Sequence, residues 1–248
     1  MVRIEQYATR LVEWIRGQVD AAWAEGVVVG LSGGIDSAVT AALCRRACPG
    51  KVLGLIMPCH SDPGDAEDAR LAAEALDIPT RTVVLDEVYD LLLGRLAGAL
   101  EGTPAGEGRE RGLAEANLKP RLRMLTLYYF ANQLNYLVAG TGNKSELAVG
   151  YFTKYGDGGV DILPLGNLVK SEVRQLAAFL GVPRPIVEKV PSAGLWAGQT
   201  DEGEMGLTYE QLDRFLRTGQ AEPGVEEIIR GMSERSQHKR RLPPVPDF

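Results

Sequence analysis

Cysteine is scarce in this chain, and the few present are poorly placed for covalent or metal work. The three cysteines, Cys44, Cys48 and Cys59, are too few for a disulfide framework. Cys44 and Cys48 lie four apart in a segment that reads as a helix, Cys59 lies in a loop, and no CxxC occurs. The two histidines are far apart in sequence, so the pattern of a structural zinc site is missing. The expectation is three reduced thiols in a cytoplasmic protein. A long apolar run is also missing. The opening MVRIEQYATRLVEWIRGQVD carries acidic residues, which suits neither a signal peptide nor a membrane span. Positive charge is in deficit as well, with 27 basic against 33 acidic residues and a net charge of −6. Such a surface has no general attraction for nucleic acid or anionic lipid. No nucleic-acid or membrane partner is expected, and any charge that binds phosphate must be local.

What is present is an ordinary soluble composition over 248 residues, 45% hydrophobic and 24% charged, with length enough for a substantial core. Ile4, Tyr7, Leu11, Ile15 and Val19 recur at helical spacing, which predicts an amphipathic helix over 2–25. VVVGL at 27–31 reads as a strand buried on both faces. Further strands are expected at 51–57, 81–85 and 135–140. Helices are expected at 37–48, 65–76, 86–100 and 118–134, with a C-terminal helix running to about Lys239. Strands separated by helices imply a doubly wound, mostly parallel sheet with helices on both faces, a Rossmann-like α/β fold. No linker or repeat breaks the chain, so residues 1–248 read as one domain. EGTPAGEGRERG at 101–112 and PSAGLWAGQTDEGEMG at 191–206 have no periodicity and read as loops. A loop as long as the second, inside a compact domain, is usually functional or disordered.

The first strand runs directly into Ser32-Gly33-Gly34-Ile35-Asp36-Ser37, where a helix begins. A helix N-terminus offers unpaired N–H groups and partial positive charge to an anion. The glycines let backbone approach it, and Ser32 and Ser37 add hydroxyls. Asp36 is out of place beside phosphate unless a cation lies between them, so it reads as a magnesium ligand. No Lys follows the glycines, so this is not the GxxxxGK[ST] loop, and it is not GxGxxG. The structural alternative is a tight turn with a capping Ser or Asp. SGGIDS after a strand closely resembles the pyrophosphate-binding loop of the N-type ATP pyrophosphatases, which split ATP between its α and β phosphates and activate a substrate as its adenylate. That likeness is silent on the substrate.

The substrate is suggested by NLKPRLRM, then GTGNKSE, then YFTKYGDGGVDILPLGNLVK, within residues 117–170. This stretch resembles the ammonia-dependent NAD synthetases almost without gaps, and the likeness extends from about Gly30 to Lys239. It implies an ATP site on Gly30, Leu31, Ser32, Gly33, Gly34, Ile35, Asp36, Ser37, Thr141, Lys170 and Ser192. Ser192 stands where that family usually has threonine, so a hydroxyl is kept. Glu146 is implied as the second magnesium ligand beside Asp36. Arg121, Lys154, Asp161, His238 and Lys239 are implied as contacts to deamido-NAD, whose diphosphate and carboxylate suit Arg and Lys. Asp161 fits either a ribose hydroxyl or the incoming ammonia, and Asp157 in the Gly156-Asp157-Gly158-Gly159 stretch is a second candidate for orienting ammonia unless GDGG is only a turn. Asp36, Lys170, Asp161 and Asp157 are thus the candidate catalytic residues.

The segment GQTDEGEMGLTYEQLD resembles the family's mobile loop, which closes over adenylated substrate; its acids suit ammonium or magnesium. The resemblance further implies a homodimer. In its support, LRMLTLYYFANQLNYLV at 122–138 carries more large apolar residues than one helix face and one strand need to bury. No region that could hold a glutamine amidotransferase is evident, so free ammonia is the expected nitrogen donor. The implied reaction is attack of the nicotinate carboxylate on the α phosphorus of ATP, followed by ammonia on the acyl carbon, with no protein nucleophile. Other readings are another adenylating pyrophosphatase, such as a GMP synthetase core or a tRNA-thiolating enzyme, and a regulatory module that binds nucleotide without catalysis. The absence of catalytic cysteines and of a basic surface disfavours thiolation, and the joint presence of Asp36, Glu146 and Lys170 disfavours the module.

Overall fold

The structure, a computed structural model, describes residues 2–103, 109–196 and 198–247. The chain runs α1 (Val2–Ala21), β1 (Gly26–Gly30), α2 (Ile35–Ala47), β2 (Val52–Ile56), α3 (Pro63–Ala75), β3 (Thr80–Thr82), α4 (Asp86–Ala99), α5 (Arg109–Ala116), α6 (Leu118–Leu134) and β4 (Tyr136–Ala139). The short α7 (Lys144–Val149), α8 (Lys170–Leu180), α9 (Arg184–Glu188), α10 (Asp201–Met205), α11 (Tyr209–Thr218) and α12 (Pro223–Arg235) follow, with a 3-10 turn at Gln237–Lys239.

The sheet is parallel, in the order β3-β2-β1-β4. Successive residues of a strand point to opposite faces, and the two cores show it. Val27 and Val29 pack with Ile15 of α1, Val39 of α2 and Leu176 of α8, whereas Val28 packs with Leu122 and Ala131 of α6 and Tyr89 of α4. Helices therefore cover both faces, as the apolar, β-branched strands require. A third, smaller core gathers Val149, Met205, Leu207, Tyr209, Leu212 and Ile229 under the C-terminal helices.

β1 lies between β2 and β4, so the connections leave its C-terminal end in opposite directions. In open α/β sheets that crevice is where ligands bind, and here it receives the loops after β1 and β4. Asn135, left-handed at φ 54°, ends α6 and turns the chain directly into β4, a position Asn tolerates well.

Three segments differ from the sequence reading. β3 is shorter than expected, although Val83 and Leu85 still donate backbone hydrogen bonds to Ile56 and Pro58. Residues 109–112 of the expected loop belong to α5; the neighbouring 104–108 lie outside the described residues. Within 191–206, residues 201–205 form α10, started by the Thr200 hydroxyl, which accepts from the Gly203 N–H at 3.2 Å.

Candidate active site

The loop after β1 is shaped by its own hydroxyls. Ser37 Oγ donates to the Gly34 carbonyl at 2.9 Å and accepts from the Ser32 N–H at 3.2 Å. Gly33 turns the chain at φ 78°, and a Cβ there would collide with the Asp65 carbonyl of α3, so only glycine fits. Gly34 is the N-cap of α2, and no side chain caps that helix. Its first N–H groups are left for an anion, which is the arrangement a phosphate uses.

Behind this loop, charge is concentrated on three side chains. Asn143 and Glu146 form a reciprocal capping box at the start of α7, so Glu146 Oε2 accepts from the Asn143 N–H at 3.1 Å. The box leaves Glu146 Oε1 facing Lys170 Nζ at 3.3 Å. Lys170, first residue of α8 and only 2% exposed, also donates to Asp36 Oδ2 at 2.5 Å. Asn143 Nδ2 donates to Asp36 Oδ1 at 2.9 Å. One ammonium thus bridges two carboxylates drawn from the starts of α2 and α7, far apart in sequence.

The environment acts on these groups in opposite ways. Burial raises the Glu146 pKa to about 7; Lys170 works against that rise and Asp36 adds to it. Burial disfavours the Lys170 ammonium, but Asp36 and Glu146 outweigh it and the pKa is raised. Tyr209 of α11 donates to Asp201 Oδ2 at 2.8 Å and lies 3.2 Å from Glu146 Oε1. Among the described residues the second oxygen of Asp201 is buried with no hydrogen-bond partner, and burial raises this carboxyl too.

The chemistry of this donor set suits magnesium. Asp36 and Glu146 offer hard oxygens on side chains 17% and 16% exposed. Among the described residues no group of three or more acidic, His or Cys side chains is poised around a metal. Magnesium keeps waters and takes phosphate oxygens as further ligands, so two carboxylates suffice for it.

All of this opens on one cavity of about 750 Å³, which Gly30, Leu31, Ser32, Gly34, Ile35, Asp36, Ser37, Thr141, Glu146, Asp157, Lys170, Ser192 and Lys239 line. Lys189, bridging Asp65 at 2.8 Å and Asp68 at 2.5 Å, closes the α3 side.

Comparison with known proteins decides the family. The NAD synthase family model matches residues 7–243. A curated relative from Carboxydothermus hydrogenoformans, "NH(3)-dependent NAD(+) synthetase", is 53% identical over 99% of this chain and 98% of its own. A relative of the same name from Archaeoglobus fulgidus is 50% identical over 98% and 97%. Among solved structures, the NMN synthetase from Francisella tularensis has a TM-score of 0.90 and 42% identity over 99% of both chains. The NH3-dependent NAD synthetase from Campylobacter jejuni has a TM-score of 0.78 and 29% identity over 98% and 99%.

The chain belongs to the NAD synthase family.

Of the other residues that the NAD synthase likeness singles out, Asp161, Lys154, Arg121 and His238 stand off the cavity wall. Asp161 Oδ1 accepts from the Tyr128 hydroxyl at 2.9 Å and Oδ2 from the Val138 N–H at 2.8 Å, which ties it to α6 and β4. Lys154 Nζ sits 5.1 Å from the Tyr155 ring centroid. Arg121 Nη2 reaches the Lys154 carbonyl at 3.5 Å, so Arg121 and Lys154 do converge. His238 is exposed on the 3-10 turn. Its neighbour Lys239 turns inward and donates to the Gly150 and Phe152 carbonyls at 2.8 and 2.7 Å. Asp157 Oδ1 accepts from the Thr153 N–H at 2.8 Å, so GDGG is indeed an ordered turn, and it faces the cavity.

Sequence reasoning missed Asn143, Tyr209 and Gln199. The N-x-x-E spacing of Asn143 and Glu146 was a visible capping signal. Tyr209 had no such signal, since its partners Asp201 and Glu146 meet it only in the fold. Gln199 donates to Glu204 Oε2 at 2.7 Å and accepts from the Leu195 N–H at 2.8 Å. The buried Lys119 holds the same segment through the Leu195 carbonyl at 2.8 Å. The described residues of 191–206 are therefore tethered at Leu195 and at Glu204.

Proposed function

We propose that this member of the NAD synthase family is an ammonia-dependent NAD synthetase, a ligase that amidates the nicotinate carboxylate of deamido-NAD at the expense of ATP. The observation that carries the reading is the convergence of the SGGIDS loop, Asp36, Glu146 and Lys170 on one cavity, in a chain about half identical to relatives of that name.

A carboxylate is a poor acylating agent because its leaving group would be oxide. Its oxygen attacks the α phosphorus of ATP, pyrophosphate leaves, and the adenylate forms. Neutral ammonia then attacks the acyl carbon, loses a proton, and AMP departs. Asp36 and Glu146 would hold magnesium, which supplies neutralisation of phosphate charge when bound. The N–H groups of α2 and the Lys170 ammonium face the same developing charge. Thr141 and Ser192 offer hydroxyls to ATP. Arg121, Lys154, Asp161, His238 and Lys239 take deamido-NAD, with Asp157 or Asp161 orienting ammonia. The segment 191–206 covers the site and excludes water that would hydrolyse the adenylate.

Residues 1–248 act as one domain, and two copies pair. The acidic chain works in the cytoplasm and has no nucleic-acid partner. Among the described residues no helix is long and apolar enough to cross a membrane.

The likeness to the Francisella chain favours a second reading, amidation of the mononucleotide instead. One assay separates the two. ATP-dependent pyrophosphate release is followed with deamido-NAD or nicotinate mononucleotide, each with ammonium or with glutamine. Release that needs deamido-NAD and ammonium is expected. A preference for the mononucleotide would move the assignment, and equal rates with ammonia-free glutamine would remove ammonia as the donor.

A further inference from the structure

Asp213 takes no part in this chemistry, yet it is charged and only 4% exposed. It lies on α11 one turn beyond Tyr209, on the same helical face. Its Oδ1 accepts from the Ser145 hydroxyl at 2.6 Å and the Lys170 N–H at 3.3 Å. Its Oδ2 accepts from the Ser171 N–H at 2.8 Å and the Ser171 hydroxyl at 2.5 Å. Every one of these donors belongs to the first residues of α7 or α8. Ser145 immediately precedes Glu146, and Ser171 immediately follows Lys170.

The N-cap of α8, Val169, has no polar side chain, and Glu172 of the same helix accepts only from the Val169 N–H, at 3.0 Å, so the Lys170 and Ser171 N–H groups need an acceptor from elsewhere. A carboxylate brought in from α11 satisfies those N–H groups and sits favourably at the positive end of the helix dipole. By holding α7 at the same time, it fixes the distance between the two backbones from which Glu146 and Lys170 project.

We propose that Asp213 is a positioning residue that seats Lys170 between Asp36 and Glu146 by clamping the starts of α7 and α8 together. The inference rests on the ATP site proposed above. Lysine has a long flexible stem, and its ammonium must stay within bonding distance of two carboxylates and of ATP. A displacement of even one ångström in such a group is costly. Asp213 acts through Lys170 and touches no substrate.

The test is a double-mutant cycle on ATP binding, measured by calorimetry with magnesium and without a second substrate. Asp213→Asn, Lys170→Gln and the double variant are compared with wild type, after circular dichroism shows each folded. Asp213→Asn should weaken ATP binding by about tenfold. In the Lys170→Gln background the same change should alter it by less than about twofold, since coupled sites are not additive. Losses that multiply would show a merely structural role and overturn the proposal, as would unchanged affinity in folded Asp213→Asn. If that variant does not fold, Ser145→Ala and Ser171→Ala each remove one bond of the clamp. Each should weaken ATP binding by about threefold with the same non-additivity, and additivity overturns the proposal here too. Wild type that binds ATP but releases no pyrophosphate with either nucleotide would defeat the proposed reaction and leave the cycle readable. Wild type that binds no ATP would overturn both.

Discussion

Lys170 brings its charge into a place where almost no water reaches it, and Asp36 and Glu146 are what make that tolerable. An isolated buried ammonium is strongly disfavoured, whereas one held by paired carboxylates is not. The arrangement has a consequence for stability. Glu146 has an ordinary value of 4.5 and is raised to about 7 in the fold. An acid whose folded pKa lies above its unfolded one binds its proton more tightly when folded. Its contribution is fully present below about 4.5 and is lost as pH rises through about 7. The thermal midpoint of the protein without ligands should therefore fall between about pH 5 and pH 8. Glu146→Gln, which keeps the shape without the titrating group, should fall less over that interval. Parallel slopes for the two proteins would show that Glu146 does not titrate there. Turnover should move the other way, since Glu146→Gln loses a negatively charged oxygen donor. A drop of about 100-fold or more in kcat with the fold intact is expected, and near-normal turnover at limiting magnesium would remove Glu146 as a ligand.

At the scale of elements, the segment 191–206 combines a built half and a loose half. Asp201–Met205 is a capped helix whose Asp201 is held by Tyr209. Residues 191–196 form no helix or strand, are held mainly by Lys119 and Gln199, and carry exposed Val190 and Trp196 close by. Segments with few buried apolar contacts open first. Limited proteolysis should cut this stretch readily in the free enzyme and several-fold more slowly with ATP and deamido-NAD bound. Lys119→Met, which removes the bond to the Leu195 carbonyl, should speed cutting of the free protein. Equal cutting with and without ligands would count against closure. The sequence marked this stretch as unusual because it lacks periodicity. It did not reveal the tethers, which come from residues 76 positions away for Lys119 and from Tyr209 for Asp201.

At the scale of the whole molecule, several large apolar side chains remain uncovered. Leu125 and Tyr129 of α6 are each 63% exposed, and Val84, Val88 and Leu91 beside and on α4 are exposed as well. α4 and α6 pack against each other, and each leaves large apolar side chains exposed. Exposed apolar area of this kind is the usual mark of an association surface, and a two-fold dimer would bury it from both chains. The apolar segment 122–138 also contains Tyr128 and Phe130. Both pack on the core beneath α6, and Tyr128 holds Asp161, so charging them would disturb the fold itself. Leu125→Glu with Tyr129→Glu is the better variant. Sedimentation should show wild-type dimers at micromolar concentration and monomers for the double variant, with ATP affinity changed less than deamido-NAD affinity. A fully active wild-type monomer would rule out the dimer requirement.

The sequence by itself determined the strands, the helices that alternate with them and the Rossmann-like fold. β-branched runs such as VVV at 27–29 have only one favourable place, a sheet covered on both faces. It also determined the turn after β1, because Ser37 bonds to neighbours only a few residues away and Gly33 takes the positive φ that glycine allows. The capping box of Asn143 and Glu146 is equally local, although Asn143 went unread in the sequence. Only the tertiary structure decided that Lys170 spans 134 residues to reach Asp36. It likewise decided that α11 supplies both Tyr209 to the acids and Asp213 to the starts of α7 and α8. Local patterns report local hydrogen bonds, but a buried charge is matched by whatever the chain topology brings beside it, and that pairing has no period along the sequence.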